Sequence, residues 1–529
     1  MLKILLLTVV ILALVASAQA EVIAPRVTTD QSVDTHSLES IVAGVCKPGM
    51  TDEQKAIALY EYTRRVMFHY EQRGEKLDQV YDLDALRLIN TYGYSFCTQQ
   101  MLVMVHLWHT AGVEGRVWSV PGHSTAQAFY GGKTHWFDPL IGAYVYSRKD
   151  KTVASLKEIV EDPTVLTKAA EEGRACPTFV PCEKVLAEDS ARFVTDNPDY
   201  VKSCAALGND VGFMAARAKE AKTFGGPRKS LYQPDFNLRR GETVTFLWDA
   251  IDGEYNVKPG IPPRQLPPNH FCGVAADGKD ALNYKYWKPY AREINGVTVC
   301  RYYANGKVVF APGFSNEYFK RDFESNSFAW YGWGRNEPPY LRPTKAGRPA
   351  NIVYKVSTPH VFTNATVTAQ FHRATDEDVS RLYVSPDAGL TWTRVWDAAE
   401  AGQKAGRADA SANLRDHVRG LRHFWVRAEC QTEGEVKQAG LHQIRVEAIF
   451  QHNMFARPFL GPGPNQVTVR LANPETLKVD PFTVTYVWQE GGQERQHSQR
   501  ITESPMTYAI KVNGGEMPKM VSLKLAVAP

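Results

Sequence analysis

The sequence predicts a multidomain protein, in which an N-terminal α+β domain with a helical extension is followed by all-β sandwich-like domains. Its 529 residues exceed what one hydrophobic core usually organises. Apolar residues in the first part recur at spacings of three and four, as on the buried face of a helix. From about residue 236 onward, short alternating runs are separated by Pro and Gly turns, which is typical of antiparallel strands.

The composition excludes several classes of protein. Hydrophobic residues make up 44% of the chain and charged residues 22%, which is typical of a globular protein and not of a disordered or coiled-coil one. The formal net charge of +4 is nearly balanced over this length. It therefore gives no reason to expect nucleic acid or an anionic membrane as a partner.

The N-terminus has the pattern of a secretory signal peptide. Lys3 precedes an apolar run over residues 4–16, and Ala18-Gln19-Ala20 fits a small-residue cleavage site. An uncleaved anchor is the alternative, but the run is shorter than the ~20 residues that span a bilayer. We expect residues 1–20 to be removed and the protein to be secreted or periplasmic, with no transmembrane span left after cleavage.

The mature chain divides where the residue pattern changes. We predict four units in this order: 21–235, the α+β domain with its helical extension over 150–235; 236–345, a β-rich middle region; 346–457, a β-sandwich; and 465–529, a small C-terminal β domain. The segment 458–464 is rich in Pro and Gly, which indicates a linker before the last unit.

The eight cysteines would lie in a compartment that permits disulfides. If Cys97 stays a thiol, seven remain, and these cannot all pair within the chain. Cys176 and Cys182 are close enough for a small bridged loop, but the pairing stays open. The absence of CxxC spacing argues against structural zinc, and we expect no metal and no cofactor.

Three helices are predicted before the first strand of the α+β domain. The first begins at the capping box Thr51-Asp-Glu-Gln54, the second covers Asp84 to Asn90, and the third begins near Cys97. The predicted buried stripes are Ala56, Leu59, Thr63, Val66 and Tyr70 on the first helix, and Cys97, Met101, Met104, Trp108 and Ala111 on the third. His106 and His109 lie off the last stripe, so we predict them at the surface or its boundary.

Three strands follow, over Gly115 to Val120, His123 to Tyr130 and Lys133 to Asp138. The pair Gly131-Gly132 between the last two is typical of a two-residue hairpin turn.

That turn fixes which side chains share a face of the hairpin. It pairs Tyr130 with Lys133, and it makes His123 and Asp138 diagonal neighbours on one face, about 7–8 Å apart at their Cα atoms. His135 falls on the other face. A four-residue loop would keep this arrangement, whereas a three-residue loop would separate His123 from Asp138.

Thiol, imidazole and carboxylate follow one another in this stretch, as the activation of a cysteine nucleophile requires. The orphan N–H groups and dipole of a helix start would stabilise a Cys97 thiolate. His123 would take the thiol proton, and Asp138 would orient the imidazole. Singly, they fit a buried inert thiol, a strand-end histidine bonded to backbone and a turn-capping carboxylate. Their order and register together favour a triad.

The stretch resembles the transglutaminase-like superfamily of papain-type cysteine enzymes. The resemblance covers about residues 51–140 and rests on Cys97, on Ala111-Gly-Val-Glu-Gly-Arg116-Val, on Gly122-His123 and on Trp136-Phe-Asp138-Pro139. It implies that Cys97 is the nucleophile, His123 the base and Asp138 the orienting acid. The sequence departs from the family pattern at Tyr94-Ser-Phe96, at Ser124-Thr125 and at Gln127.

A second motif lies in the β part. Ser385-Pro-Asp387-Ala-Gly389-Leu-Thr-Trp392 resembles the Asp-box hairpin of sialidases and other secreted β proteins. We expect a structural role, in which Asp387 caps the turn, Gly389 has a positive φ and Trp392 packs beneath it. The aromatic run 328–334 also fits buried core better than a sugar-stacking platform.

These observations favour an exported cysteine enzyme, a protease, amidase or acyltransferase. It would act on amide bonds of peptides, proteins or glycopeptides through a Cys97 thioester, with the Cys97 backbone N–H as an oxyanion donor. The alternative is a non-catalytic carbohydrate- or surface-binding protein whose first domain is degenerate and whose β domains hold the carbohydrate.

Overall fold

The computed structural model describes residues 22–69, 83–120, 123–139, 143–176, 222–224, 230–256, 290, 292–294, 297–299, 303–331, 340–478 and 482–528. The signal peptide and most of the predicted helical extension lie outside these residues. In the described chain the helices are α1 (Leu38–Val45), α2 (Asp52–Val66), α3 (Ala85–Arg87), α4 (Cys97–Thr110), α5 (Leu156–Glu161), α6 (Thr164–Thr167) and α7 (Arg415–Val418). A π-helix covers Leu88–Tyr92, and short 3₁₀ segments cover Glu317–Arg321, Val436–Gln438, Met454–Ala456 and Pro474–Lys478.

Most of the described chain is β structure. The strands, in chain order, are β1 (Val22–Ile23), β2 (Arg26–Thr29), β3 (Phe68–His69), β4 (Tyr94–Ser95), β5 (Glu114–Val120), β6 (His123–Tyr130), β7 (Lys133–Phe137), β8 (Lys222–Phe224), β9 (Asn237–Leu238), β10 (Glu242–Leu247), β11 (Arg292–Ile294), β12 (Val297–Val299), β13 (Ala304–Phe310), β14 (Ser325–Asn326), β15 (Ala329–Trp330), β16 (Leu341–Arg342), β17 (Ala350–Ser357), β18 (Val361–Arg373), β19 (Val379–Ser385), β20 (Thr393–Asp397), β21 (Gly406–Asn413), β22 (His423–Gln431), β23 (Gly440–His452), β24 (Gly463–Arg470), β25 (Phe482–Glu490), β26 (Gln493–Ile501), β27 (Met506–Val512) and β28 (Lys519–Val527).

The N-terminal helices begin where the sequence predicts them. The Thr51 hydroxyl accepts a hydrogen bond from the Gln54 N–H at 3.3 Å, and the Gln54 side chain accepts one from the Thr51 N–H at 2.9 Å, which caps α2. Asp84 caps α3 through the N–H groups of its first turn. The π-helix continues α3 and ends at Gly93, whose φ of 67° is left-handed.

The predicted stripe of α2 is buried from Ala56 to Val66, and Tyr70 lies outside the described residues. In the stripe of α4 the residues between Cys97 and Ala111 are buried, whereas these two are only partly buried. The apolar faces of α2 and α4 meet in one hydrophobic cluster with the inner residues of β5 and β6. The prediction for His106 is wrong, since only 4% of this residue is exposed. The reason is that α1, α2, β5 and β6 all pack against α4, so more than one stripe of the helix is covered. His109 is half-buried, with its Nε2 2.9 Å from the Gly115 carbonyl oxygen.

The four-stranded sheet of this region has the order β7-β6-β5-β8, with antiparallel neighbours. The predicted two-residue turn is confirmed: Tyr130 pairs with Lys133, and Gly131 and Gly132 have φ values of 56° and 78°. The helical prediction over 150–235 holds for α5 and α6 but is wrong at β8, which pairs with the edge of β5. The composition of residues 150–235 does not show that β5, much earlier in the chain, has an edge free to pair with another strand.

The rest of the described chain forms a β core of two main sheets that face each other. A ten-stranded sheet contains β15-β16-β23-β13-β10-β28-β25-β26 in this order, with β18 and β21 added beside β23. A five-stranded sheet has the order β14-β17-β22-β19-β20. The inner residues of both sheets belong to one hydrophobic cluster, so this part is a β-sandwich.

Strands from all three predicted β units share the ten-stranded sheet. Pairing of β10 with β13 and β28 joins the middle region to the C-terminal unit, and β2 near the N-terminus pairs with β24. The predicted linker 458–464 is packed within this structure: Leu460 is fully buried, and the Gly461 N–H donates to the Asn465 side chain at 2.7 Å. Among the described residues no helix is long and apolar enough to cross a bilayer.

Candidate functional site

The three sequence-predicted residues lie at the ends of three elements, α4, β6 and β7. Cys97 is the first residue of α4, His123 is the first residue of β6, and Asp138 directly follows β7. The next residues along the chain connect two of these elements, because the hydroxyls of Thr98 and Ser124 are hydrogen-bonded at 2.8 Å. The start of α4 therefore rests against the start of β6.

Cys97 is half-exposed and forms no disulfide with another described cysteine. It begins α4 directly after Phe96, whose N–H donates to the Gln99 side chain at 3.1 Å. The first intrahelical bond of this turn runs from the Gln100 N–H to the Phe96 carbonyl at 3.0 Å. Cys97 thus lies where the N–H groups of a helix are not used within the helix, and where the dipole favours a thiolate.

The backbone of His123 pairs with Val120 of β5 at the start of β6. Its side chain lies outside the part of the chain that the structure describes, so its role as a base stays a prediction. The hydrogen bond between its neighbour Ser124 and Thr98 fixes where the start of α4 contacts β6.

Asp138 is fully buried just beyond β7. Its backbone forms a two-way bridge with Ala143, with N···O distances of 2.9 and 3.0 Å. Burial raises the pKa of Tyr60 well above its usual value, and the negative charge of Asp138 adds to this rise, which Arg64 opposes. The Asp138 carboxylate therefore acts on a buried site beside α2, in which its charge is poorly screened by solvent.

The two faces of the hairpin have different neighbours. Thr125 and Trp136 share one face, as predicted, and the Trp136 indole N–H donates to the Thr125 hydroxyl at 2.6 Å. Trp136 packs there against the apolar residues of α5 and the segment before it. Ala126 and Phe137 are on the other face, in the cluster that includes α2 and α4. Cys97 packs at the edge of this second cluster and not over the Trp136 face.

His135 is held by structural contacts away from the open end of the hairpin. Its ring is fully buried and stacked on Tyr130, with 3.5 Å between ring centroids. Both ring nitrogens face carbonyl oxygens, those of Val153 and Tyr130, at 2.6 and 3.1 Å. Burial lowers the pKa of His135, which the two backbone contacts partly oppose. This arrangement agrees with the prediction that His135 is not the base.

Two buried polar side chains beside Cys97 were not predicted from the sequence. The Ser95 hydroxyl and the Gln100 amide nitrogen are both buried, and neither has a hydrogen-bond partner among the described residues. Gln100 follows Cys97 by three positions, which places it on the same helix face. Gln100 is a polar residue near the start of a mostly apolar helix, which marks it in the sequence. Its spacing alone does not predict that it is buried.

The turn at 385–392 contains the contacts expected from its sequence. Asp387 Oδ1 accepts from the Thr391 N–H at 2.8 Å, Gly389 has a φ of 83°, and a Cβ on Gly389 would lie 3.3 Å from the Trp392 ring. In the aromatic run 328–334, Phe328 is buried and Tyr331 is exposed, and residues 332–334 lie outside the described chain.

No protein-family model matches the chain, and no curated protein matches it. A β-D-glucuronidase from Dictyoglomus thermophilum is 10% identical, with 36% of this chain and 37% of that chain covered and a TM-score of 0.14. The glycoside hydrolase domain of Endo-D from Streptococcus pneumoniae R6 is 8% identical, with 46% and 41% covered and a TM-score of 0.15. A Ruminococcus gnavus β-glucuronidase has 6% identity, 33% and 35% coverage and a TM-score of 0.13. The chain thus spans well under half of each structure, and likeness at this level assigns no function.

Proposed function

We propose that the protein is an exported, transglutaminase-like cysteine enzyme that cleaves or transfers amide bonds of peptides, proteins or glycopeptides. The proposal rests on the order and spacing of Cys97, His123 and Asp138, which lie at the start of α4, at the start of β6 and just after β7. The contact between Thr98 and Ser124 supports it, because it brings the start of α4 to the start of β6.

In the proposed reaction Cys97, His123 and Asp138 act on the amide substrate, and water or a second amine is the other reactant. The Cys97 thiolate attacks the amide carbonyl, and the backbone N–H of Cys97 stabilises the resulting oxyanion. The C–N bond breaks as His123 gives its proton to the leaving amine, which leaves a thioester on Cys97. Water then releases the acid in hydrolysis, or a second amine takes the acyl group in transfer. Asp138 holds the imidazole in the tautomer that these steps require.

Cys46 provides an internal control for the thiol chemistry. It is also half-exposed, but it follows α1 at its C-terminal end, where the helix dipole disfavours a thiolate. Burial raises the pKa of the Cys46 thiol. Two thiols of similar exposure therefore sit at opposite ends of helices in one domain.

The test is the pH dependence of iodoacetamide labelling, mapped by peptide mass spectrometry. We expect Cys97 to react with an apparent pKa between roughly 3.5 and 7.5, the range of activated thiols, and Cys46 to react only at higher pH. In His123→Ala the apparent pKa of Cys97 should rise while the thermal midpoint stays unchanged. Equal labelling profiles for Cys97 and Cys46 would reject the enzyme and leave the non-catalytic alternative.

A further inference from the structure

The segment that leads into Cys97 is enclosed by the β core. It consists of the π-helix Leu88–Tyr92, of Gly93 and of β4, and every residue from 88 to 95 is buried. We call it the 88–95 segment. Its polar contacts include two with residues more than 350 positions away in the chain, Gln451 and Asn453, at and just after the end of β23. Others are with Thr35, Tyr232, Asn256 and His360.

Gln451 binds the last part of this segment. Its amide nitrogen donates to the Tyr94 hydroxyl at 2.9 Å, and that hydroxyl donates to the Asn256 carbonyl at 3.3 Å. The Asn256 N–H returns to the Gln451 amide oxygen at 3.0 Å, which closes a three-membered ring of hydrogen bonds. All three residues are fully buried. If one of these bonds is lost, water cannot reach the polar groups to replace it.

Asn453 binds the middle of the segment. Its side-chain nitrogen donates to the Ile89 carbonyl at 2.7 Å and to the Val66 carbonyl at 2.9 Å, where α2 ends. Its backbone N–H donates to the Asn90 carbonyl at 3.0 Å. A Cβ on Gly93 would lie 2.6 Å from the Asn453 side chain, so the two residues are in direct contact. Asn453 thereby satisfies carbonyls that the end of α2 and the π-helix leave open.

Two more contacts join the 88–95 segment to the β core. The buried Arg457 guanidinium donates to the Asn90 side chain, and His360 Nδ1 lies 3.2 Å from the Thr91 hydroxyl. Every polar side chain from Asn90 to Thr91 is therefore engaged by the β core. Tyr94, which Gln451 binds, precedes Phe96 and Cys97 by only two and three residues.

We propose that Gln451 and Asn453 are positioning residues for Cys97. They fix the 88–95 segment and thereby the place where α4 begins with the thiol. This inference rests on the proposed function, and it assigns to the β core a part in the thiol site beyond any role in substrate binding. The nucleophile would then depend on the β core even though its triad lies wholly in the first domain.

The test uses three variants of the full-length protein: Gln451→Met, Tyr94→Phe and the double variant. Gln451→Met keeps the length of the side chain and removes its hydrogen bonds. The matched control is Gln443→Met, because Gln443 is exposed on the same strand. The measurements are the pH profile of Cys97 alkylation, amide hydrogen exchange over residues 92–99, and the thermal midpoint.

We expect each single variant to raise the apparent pKa of Cys97 and to slow its alkylation at neutral pH by up to roughly tenfold for each pH unit of that rise, because the thiolate is the form that reacts. Exchange over residues 92–99 should rise, and the double variant should be no slower than the slower single one, since both lose the same contact. Gln443→Met should match the wild type in all three measurements.

Several outcomes separate this proposal from the one it rests on. If wild-type Cys97 labels like Cys46, the enzyme proposal fails, and exchange over 92–99 alone decides whether Gln451 orders the segment. If wild-type Cys97 is activated but Gln451→Met changes neither its profile nor the exchange, the positioning role is rejected. Asn453→Ala leaves two buried carbonyls without a donor and can fail to fold, so the Gln451 variants decide the question.

Discussion

The hairpins β6–β7 and β25–β26 have the same turn in opposite surroundings. Both loops are Gly-Gly, with φ values of 56° and 78° at Gly131 and Gly132 and of 57° and 77° at Gly491 and Gly492. Positive φ at both central residues is the type I′ turn, whose twist matches that of paired strands. In both hairpins the residues that flank the loop pair directly, so the turn alone sets the register.

The strands after the two turns differ in what covers them. In β7, Trp136 and Phe137 are fully buried and belong to different hydrophobic clusters, one on each face of the hairpin. In β26, most residues from 493 to 500 are exposed and only Ile501 is buried. Local turn chemistry therefore decides pairing, while tertiary packing decides which hairpin can hold a buried carboxylate such as Asp138.

The largest expected difference between the hairpins is in the cost of truncating the strand after the turn. Trp136→Ala should lower the free energy of unfolding by about 3–5 kcal/mol, because it leaves a cavity and removes the donor to Thr125. Gln496→Ala, in the exposed β26, should change it by less than about 0.5 kcal/mol. Urea denaturation, with hydrogen exchange over residues 123–137 to localise the loss, measures both.

A loss below about 1 kcal/mol for Trp136→Ala would mean that the second face of the hairpin is not a packed core. Burial of β7 would then not distinguish its stability from that of the exposed β26.

Two buried histidines, one of them at the end of β23, make the stability of the β core depend on pH. His452 is fully buried, and burial, with a further contribution from Arg457, lowers its pKa to about 3. His360 lies beside it, with ring centroids 6.0 Å apart, and burial lowers its pKa as well. Below pH 6.5 the unfolded chain takes up protons on these residues that the folded chain refuses, so stability falls as pH falls.

For His452 this amounts to about 1.4 kcal/mol per pH unit, or about 2 kcal/mol between pH 6.5 and pH 5. His452→Gln removes the titrating group and should reduce the slope of unfolding free energy against pH by that amount. Hydrogen exchange over residues 440–452 between pH 5 and pH 7 measures it, after correction for the intrinsic exchange rate. A variant with the wild-type slope would show that His452 is not the acid-sensitive group.

The features that follow from local chemistry could be predicted from the sequence. The Thr51 cap, the Gly131-Gly132 turn and the hairpin register depend on a few adjacent residues, and the structure contains all three. The burial of His106 could not be predicted, because it depends on how many elements surround α4. The strand at 222–224 could not be predicted either, because it forms by pairing with the edge of β5.

The candidate site divides in the same way. The order and spacing of Cys97, His123 and Asp138 predict a triad, and the three residues lie at the start of α4, at the start of β6 and just after β7. The contact between Tyr94 and Gln451 joins residues 357 positions apart, and no spacing rule connects them. Likewise the ten-stranded sheet pairs β10 with β28 at the far end of the chain, so its extent was not visible as a local change in pattern.

The smallest expected effect tests whether the two turns are equivalent. A Cβ on Gly132 or on Gly492 meets nothing within 4 Å, so Gly132→Ala and Gly492→Ala change backbone strain alone. Each should cost about 1–2 kcal/mol, the penalty of a left-handed backbone for a residue with a Cβ. Asn should recover part of it at both sites, because it tolerates that conformation. Urea denaturation with local hydrogen exchange compares the two hairpins. If the cost at Gly132 exceeds the cost at Gly492 by more than about 1 kcal/mol, the packing around β7 amplifies turn strain, and register there is set by the core as well as by the turn.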